Sequence, residues 1–69
     1  MNEMLGNHYY LTKRYKDAIQ QYKSVLTENP HELKVMKKII ICLLKEGEIE
    51  EATHHFAELL NEDIEQIFN

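Results

Sequence analysis

Residues 5–30, LGNHYYLTKRYKDAIQQYKSVLTENP, and residues 39–64, IIICLLKEGEIEEATHHFAELLNEDI, are one pattern written twice. Displaced by 34 residues, Leu5 falls on Ile39, Tyr9 on Leu43, Tyr15 on Ile49, Ala18 on Ala52, Tyr22 on Phe56, Val25 on Leu59 and Leu26 on Leu60. Apolar positions meet apolar partners, and alanine meets alanine. Unrelated amphipathic segments would not hold one phase through two helices and a turn, so the register marks an internal repeat.

Within each copy the local spacing is helical. Tyr15, Ala18, Ile19, Tyr22, Val25 and Leu26 recur at three and four residues, which is one face of a helix. Asn29-Pro30 ends that segment, because the residue before a proline is driven out of the α region. A second periodic segment begins near Glu32, carries Val35, Met36, Ile39, Ile40 and Leu43, and stops at Gly47, a residue suited to the left-handed turn at a helix C-terminus. A third carries Ile49, Ala52, Phe56, Leu59 and Leu60 behind Glu48, Glu50 and Glu51, whose charge favours a helix N-terminus. Ahead of these, about Asn2 to Thr12, Leu5 and Tyr9 share a face. The fold predicted is all-α: four helices in two tandem helix-turn-helix hairpins. The divisions expected are a repeat at about 1–32, a second at about 33–60, and a helical extension over 61–69. No Gly or Pro separates that extension from the fourth helix. Phe56, Leu60, Ile64 and Ile67 keep helical spacing, which favours a prolonged helix over a separate cap.

A 69-residue chain is one small domain, and at this length folding buries only about 60% of the unfolded surface. A fragment, a capped pair or an oligomer is therefore expected. The net charge of −4 hides a split: residues 1–45 carry all eight cations and sum to +4, while residues 46–69 carry eight acids and sum to −8. Cys42 is alone, so neither an internal disulfide nor a zinc framework follows. The longest apolar run, Ile39 to Leu44, is six residues, against about 20 needed to span a bilayer. The N-terminus lacks the basic-then-apolar signature of a secretory signal. Either a cytoplasmic protein is expected, or upstream sequence has been cut away; no membrane span is expected, and the acidic balance argues against a nucleic-acid partner, although the basic first two-thirds keeps that option open.

Leu5-Gly6, Tyr9, Tyr15, Ala18, Tyr22 and Pro30 together resemble the tetratricopeptide repeat, with Asn2 where the family's large aromatic stands. The second half is similar more loosely, through Ile39-Ile40, Leu43, Gly47, Ala52 and Phe56, with Ile64 replacing the proline. The resemblance implies that the two tetratricopeptide-like hairpins form a short right-handed superhelical stack, with a binding groove lined by the first helix of each repeat. Asn7 then matches a groove asparagine that some members use to grip a ligand backbone or terminal carboxylate. The lysine of that clamp is replaced by Glu3.

On a helix turning about 100° per residue, a buried stripe of Met36, Ile39, Ile40 and Leu43 leaves Lys34, Lys37, Lys38, Ile41, Leu44 and Lys45 opposite. Two large aliphatics among four lysines suit an acidic or amphipathic ligand better than bare solvent. Lysines flanking a β-prone apolar run also serve as gatekeepers against aggregation, a bland role that competes for the same residues. The equivalent first-helix positions are Glu3, Met4, Asn7, Tyr10 and Leu11. His54 and His55 read as solvated side chains near Glu50, Glu51 and Glu58, His8 as a partly buried packing residue, and Cys42 as a small buried hydrophobe. No nucleophile or acid/base pair stands at a productive spacing, so no enzyme and no cofactor are expected.

The leading expectation is an adaptor that holds a short acidic or amphipathic protein segment. Lys34, Lys37, Lys38 and Lys45 supply charge, Tyr10, Leu11, Ile41 and Leu44 apolar contact, and Asn7 a hydrogen bond. The alternative is self-association, as a homodimer by helix exchange or by end-to-end stacking.

Overall fold

The computed structural model describes the backbone of residues 2–68 and the side chains of residues 2–62 and 64. Four helices follow one another: α1 (Asn2–Leu11), α2 (Tyr15–Glu28), α3 (Leu33–Lys45) and α4 (Ile49–Phe68). Consecutive helices pack pairwise, α1 on α2, α2 on α3 and α3 on α4, so the chain is two antiparallel hairpins laid side by side. There is no strand among the described residues. The slab measures 37 × 27 × 16 Å, thin enough that no helix is enclosed on all sides.

The turns follow from local chemistry. At the end of α3, Gly47 takes φ 76°, its N–H donates to Leu44 O at 3.1 Å, and the Glu48 N–H donates to Leu43 O at 2.9 Å. These two bonds satisfy the last carbonyls and form a Schellman closure. The end of α1 repeats it 34 residues earlier. Lys13 takes φ 65°, and the Lys13 and Arg14 N–H groups donate to Tyr10 O and Tyr9 O at 3.1 and 2.8 Å. A lysine here bears the steric cost of a left-handed residue that glycine escapes. Asn29, held extended by Pro30 at φ −129° and ψ 82°, ends α2. The fourth helix runs unbroken through Phe68, so the extension prolongs α4 rather than forming a separate cap. The side chains of Ile67 and Phe68 lie outside the described residues.

The buried core is the seam between the hairpins: Ala18, Ile19 and Tyr22 of α2, Val35, Ile39, Cys42 and Leu43 of α3, and Ala52 of α4. Small residues set its spacing. A Cβ on Gly6 would sit 2.7 Å from Tyr22 Cε1, inside van der Waals contact, so the Tyr22 ring packs against bare α1 backbone. Cys42 is the buried hydrophobe expected. Burial pushes its thiol up to about 11, with Glu46 adding to the shift.

Several positions expected in the core are open instead. Tyr22 is fully buried, whereas Phe56, its repeat equivalent, is 49% exposed. Leu5, Ile49, Leu60 and Ile64 are also exposed. On α4 the cause is the absence of a covering helix: α3 lies over Tyr22, and no described residue lies over the corresponding face of α4, while Leu5 lies on α1 at the opposite end of the molecule. The side chain of Ile40 contributes, because it occupies the position that Gly6 leaves vacant for the Tyr22 ring. The stripe of α3 is correspondingly rotated, with Val35 and Cys42 buried and Ile40 only half-buried. His8, read as partly buried, is exposed.

Candidate functional site

Three side chains from three helices meet where α3 crosses the first hairpin. The Tyr22 hydroxyl donates to Asn7 Oδ1 at 2.6 Å, and Lys38 Nζ donates to the same oxygen at 2.9 Å. An ammonium can only donate, so the amide oxygen must face Lys38 and the amide N–H groups point elsewhere. Those two donors have no partner among the described residues. Lys38 also lies over the Tyr22 ring, 5.8 Å from its centroid, within cation–π range. Burial pushes the Tyr22 phenol up to about 12, with Cys42, Tyr10 and Glu3 adding to the shift, so it remains a hydrogen-bond donor at neutral pH.

Around this cluster the α3 lysines differ from Arg14 and the lysines of α2. Arg14 pairs with Asp17 at 2.8 Å, Lys23 with Glu51 at 2.7 Å, and Lys16 lies 3.9 Å from Glu46. Lys34, Lys37, Lys38 and Lys45 meet no carboxylate within salt-bridge distance among the described residues. The basic charge of the first two-thirds of the chain is thus paired at Arg14 and along α2 and, among the described residues, left unmatched at Lys13 and along α3.

Asn7 and Lys38 are in contact, and Lys34, Ile41 and Lys45 share the helical face of Lys38, with Lys37 further round it. Tyr10 is half-buried and packs edge-on against Tyr15, with ring centroids 6.0 Å apart. Leu11 stands 78% exposed at the end of α1. Leu44 lies about 20° from Lys37 and about 120° from Lys38 around α3, and lines a pocket of about 170 Å³ with Ile40, Ala52, Thr53 and Phe56. The reading of sequence alone missed Tyr22 as the anchor of Asn7. Its signal was a tyrosine where the second repeat has phenylalanine, a hydroxyl with no use in an apolar core unless it finds an acceptor.

The second hairpin carries a different cluster. Lys23 donates to Glu51 Oε2 at 2.7 Å, and His55 stands 3.5 Å from Glu51 and 3.4 Å from Glu58. The Lys23 hydrogen bond, ahead of its charge and the contribution of His55, holds the Glu51 carboxyl below the usual range. His55 is mostly covered, contrary to the solvated reading, while His54 is exposed. No group of three metal-ligating side chains occurs among the described residues.

Tandem antiparallel hairpins in a fixed register, with a small residue at each close crossing, define a helical-repeat protein. The family model of the tetratricopeptide repeat matches residues 9–65, and the chain belongs to that family. A TPR repeat-containing protein of Methanocaldococcus jannaschii is 34% identical over 55 residues, covering 80% of this chain and 10% of that protein. The chain therefore spans about a tenth of the length of this curated relative. No solved structure matches. Tetratricopeptide repeats mediate protein–protein interaction, typically without catalysis of their own. No helix among the described residues is long and apolar enough to cross a membrane.

Proposed function

We propose that this chain, as repeats of about 1–32 and 33–60, is a cytoplasmic adaptor whose α1–α3 groove holds a short acidic or amphipathic protein segment. The observation that supports this reading is the unmatched charge of Lys34, Lys37, Lys38 and Lys45 beside the two undirected donors of Asn7. A ligand carboxylate would pair with the lysines, and a ligand carbonyl or carboxylate oxygen would accept from Asn7 Nδ2. Tyr10, Leu11, Ile41 and Leu44 are assigned the apolar contacts.

The test is fluorescence anisotropy with a labelled amphipathic peptide that repeats leucine at helical spacing among glutamates. Binding should weaken steeply with salt. Lys34→Glu with Lys37→Glu should abolish it while circular dichroism stays unchanged, because both side chains are exposed and Lys38 keeps its bond to Asn7. Undiminished binding by that variant overturns the groove assignment.

A second reading is self-association. It is favoured by the exposed apolar residues at both ends of the molecule, Met4 and Leu5 on α1 and Phe56, Leu60 and Ile64 on α4.

A further inference from the structure

The internal register permits a closer comparison of those two ends. In the seam, α3 lies on the first hairpin and fills a groove made by Gly6, Tyr10, Ala18, Ile19 and Tyr22. Advancing each by 34 residues gives Ile40, Leu44, Ala52, Thr53 and Phe56. These same five residues line the open pocket at the far end of the second hairpin. Among the described residues the molecule thus contains one groove twice, filled once and open once.

The helix that fills the first groove is α3, and the element in register with α3 is α1. Ile39, fully buried in the seam, corresponds to Leu5, and Lys38 corresponds to Met4. At the seam the contact triad is Asn7, Tyr22 and Lys38, all polar. At the open groove its three counterparts are Ile41, Phe56 and, on an incoming α1, Met4, all apolar. They are exposed by 39%, 49% and 72% respectively. The polar triad and its replacement are each self-consistent: a lysine meets an amide and a hydroxyl, and a methionine meets an isoleucine and a phenyl ring. A mixed set would strand a buried polar group.

We propose that the Ile40–Phe56 groove docks α1 of a second copy of this chain, with Met4 over Phe56 and beside Ile41, and Leu5 entering the pocket. The proposal rests on the self-association reading; it shares Ile41 and Leu44 with the groove reading for acidic ligands but uses neither Asn7 nor the lysines. The contact joins two different faces, so it is heterologous. Each added copy presents a fresh Phe56 face, and the assembly grows head to tail without closing.

Sedimentation equilibrium of the 69-residue chain tests this. Its mass should rise with concentration and pass beyond two copies. Met4→Glu and Phe56→Glu should each weaken association more than about tenfold with unchanged helicity, both sites being exposed. An equimolar mixture of the two variants should give a species of two copies and nothing larger, since one intact α1 meets one intact groove and both remaining faces are blocked. A wild-type monomer at every concentration overturns the self-association reading itself. A wild-type mass that stops at two, growth that persists in either single variant, or a mixture that stays monomeric overturns the assignment of faces while leaving self-association standing.

Discussion

Tyr22 and Phe56 occupy the same place in two copies of one repeat, yet the first is sealed inside the seam and the second is half in water. Their surroundings differ at two points. Gly6 leaves room for the Tyr22 ring where Ile40 leaves less for Phe56, and α3 covers the first hairpin where nothing described covers the second. A repeat position therefore specifies a potential for burial, and the neighbouring helix decides whether that potential is realised. Stability in such a stack resides in the joints between units as much as in the units.

Truncation should break the equivalence most sharply. Tyr22→Ala removes a fully buried ring and its hydroxyl bond, and should cost about 3–5 kcal/mol. Phe56→Ala should cost about 1 kcal/mol or less in dilute solution. Urea unfolding followed by circular dichroism measures both, and equal losses would refute the contrast.

Alkali probes the seam alone, because its titratable residues Tyr22 and Cys42 are both held protonated above their usual range. In the unfolded chain a thiol ionises near pH ~8.5 and a phenol near pH ~10. In the folded chain they do so at about 11 and about 12. Between these limits the unfolded state binds fewer protons, so stability is intact below about pH 8.5 and falls as pH rises, by about 3 kcal/mol for Cys42 alone. Denaturation midpoints from pH 8 upward should show the decline, and Cys42→Ala should remove its first limb.

The two turns offer a smaller comparison. Lys13→Gly should stabilise by about 1 kcal/mol, since Lys13 holds the left-handed conformation that Gly47 adopts freely. In a domain of this size that is a rise of about 4–8 °C in Tm. No rise would mean that the Lys13 side chain contributes something its backbone conceals.

The smallest effect concerns Glu51, which ties α4 to Lys23 of α2. Its lowered carboxyl pKa stabilises the fold above the unfolded value near ~4.3, and this contribution is lost as pH falls through the folded value. The pair is largely exposed, so Lys23→Ala should remove only a few tenths of a kcal/mol at pH 7. It should also flatten the acid limb of the stability profile.

The helices and their ends were legible because they depend on near neighbours in the chain. Pro30 stops α2, Gly47 stops α3, and the three-four spacing after Tyr15 continues until those residues intervene. The 34-residue register carried the pairing of hairpins as well. Burial at Phe56, Leu60 and Ile64 was illegible, because periodicity reports an apolar face and not whether another helix reaches it. Leu44 shows the limit of a helical wheel. It lies about 120° from Lys38 but only about 20° from Lys37 around α3, so the wheel groups it with the lysines, yet its side chain lines the pocket with Ile40 and Phe56 of the second hairpin. The Tyr22–Asn7–Lys38 contact required three helices to be placed at once, although the unpaired hydroxyl in an apolar register hinted at it.

Each helix packs chiefly on its predecessor in the chain, and that has a consequence in time. Contacts made between near neighbours close short loops, so the backbone needs little search to form them and folding should be fast. Opening should run in the opposite spatial order, from the ends inward. Amide hydrogens would exchange first from the beginning of α1 and the far turns of α4, and last from the facing sides of α2 and α3.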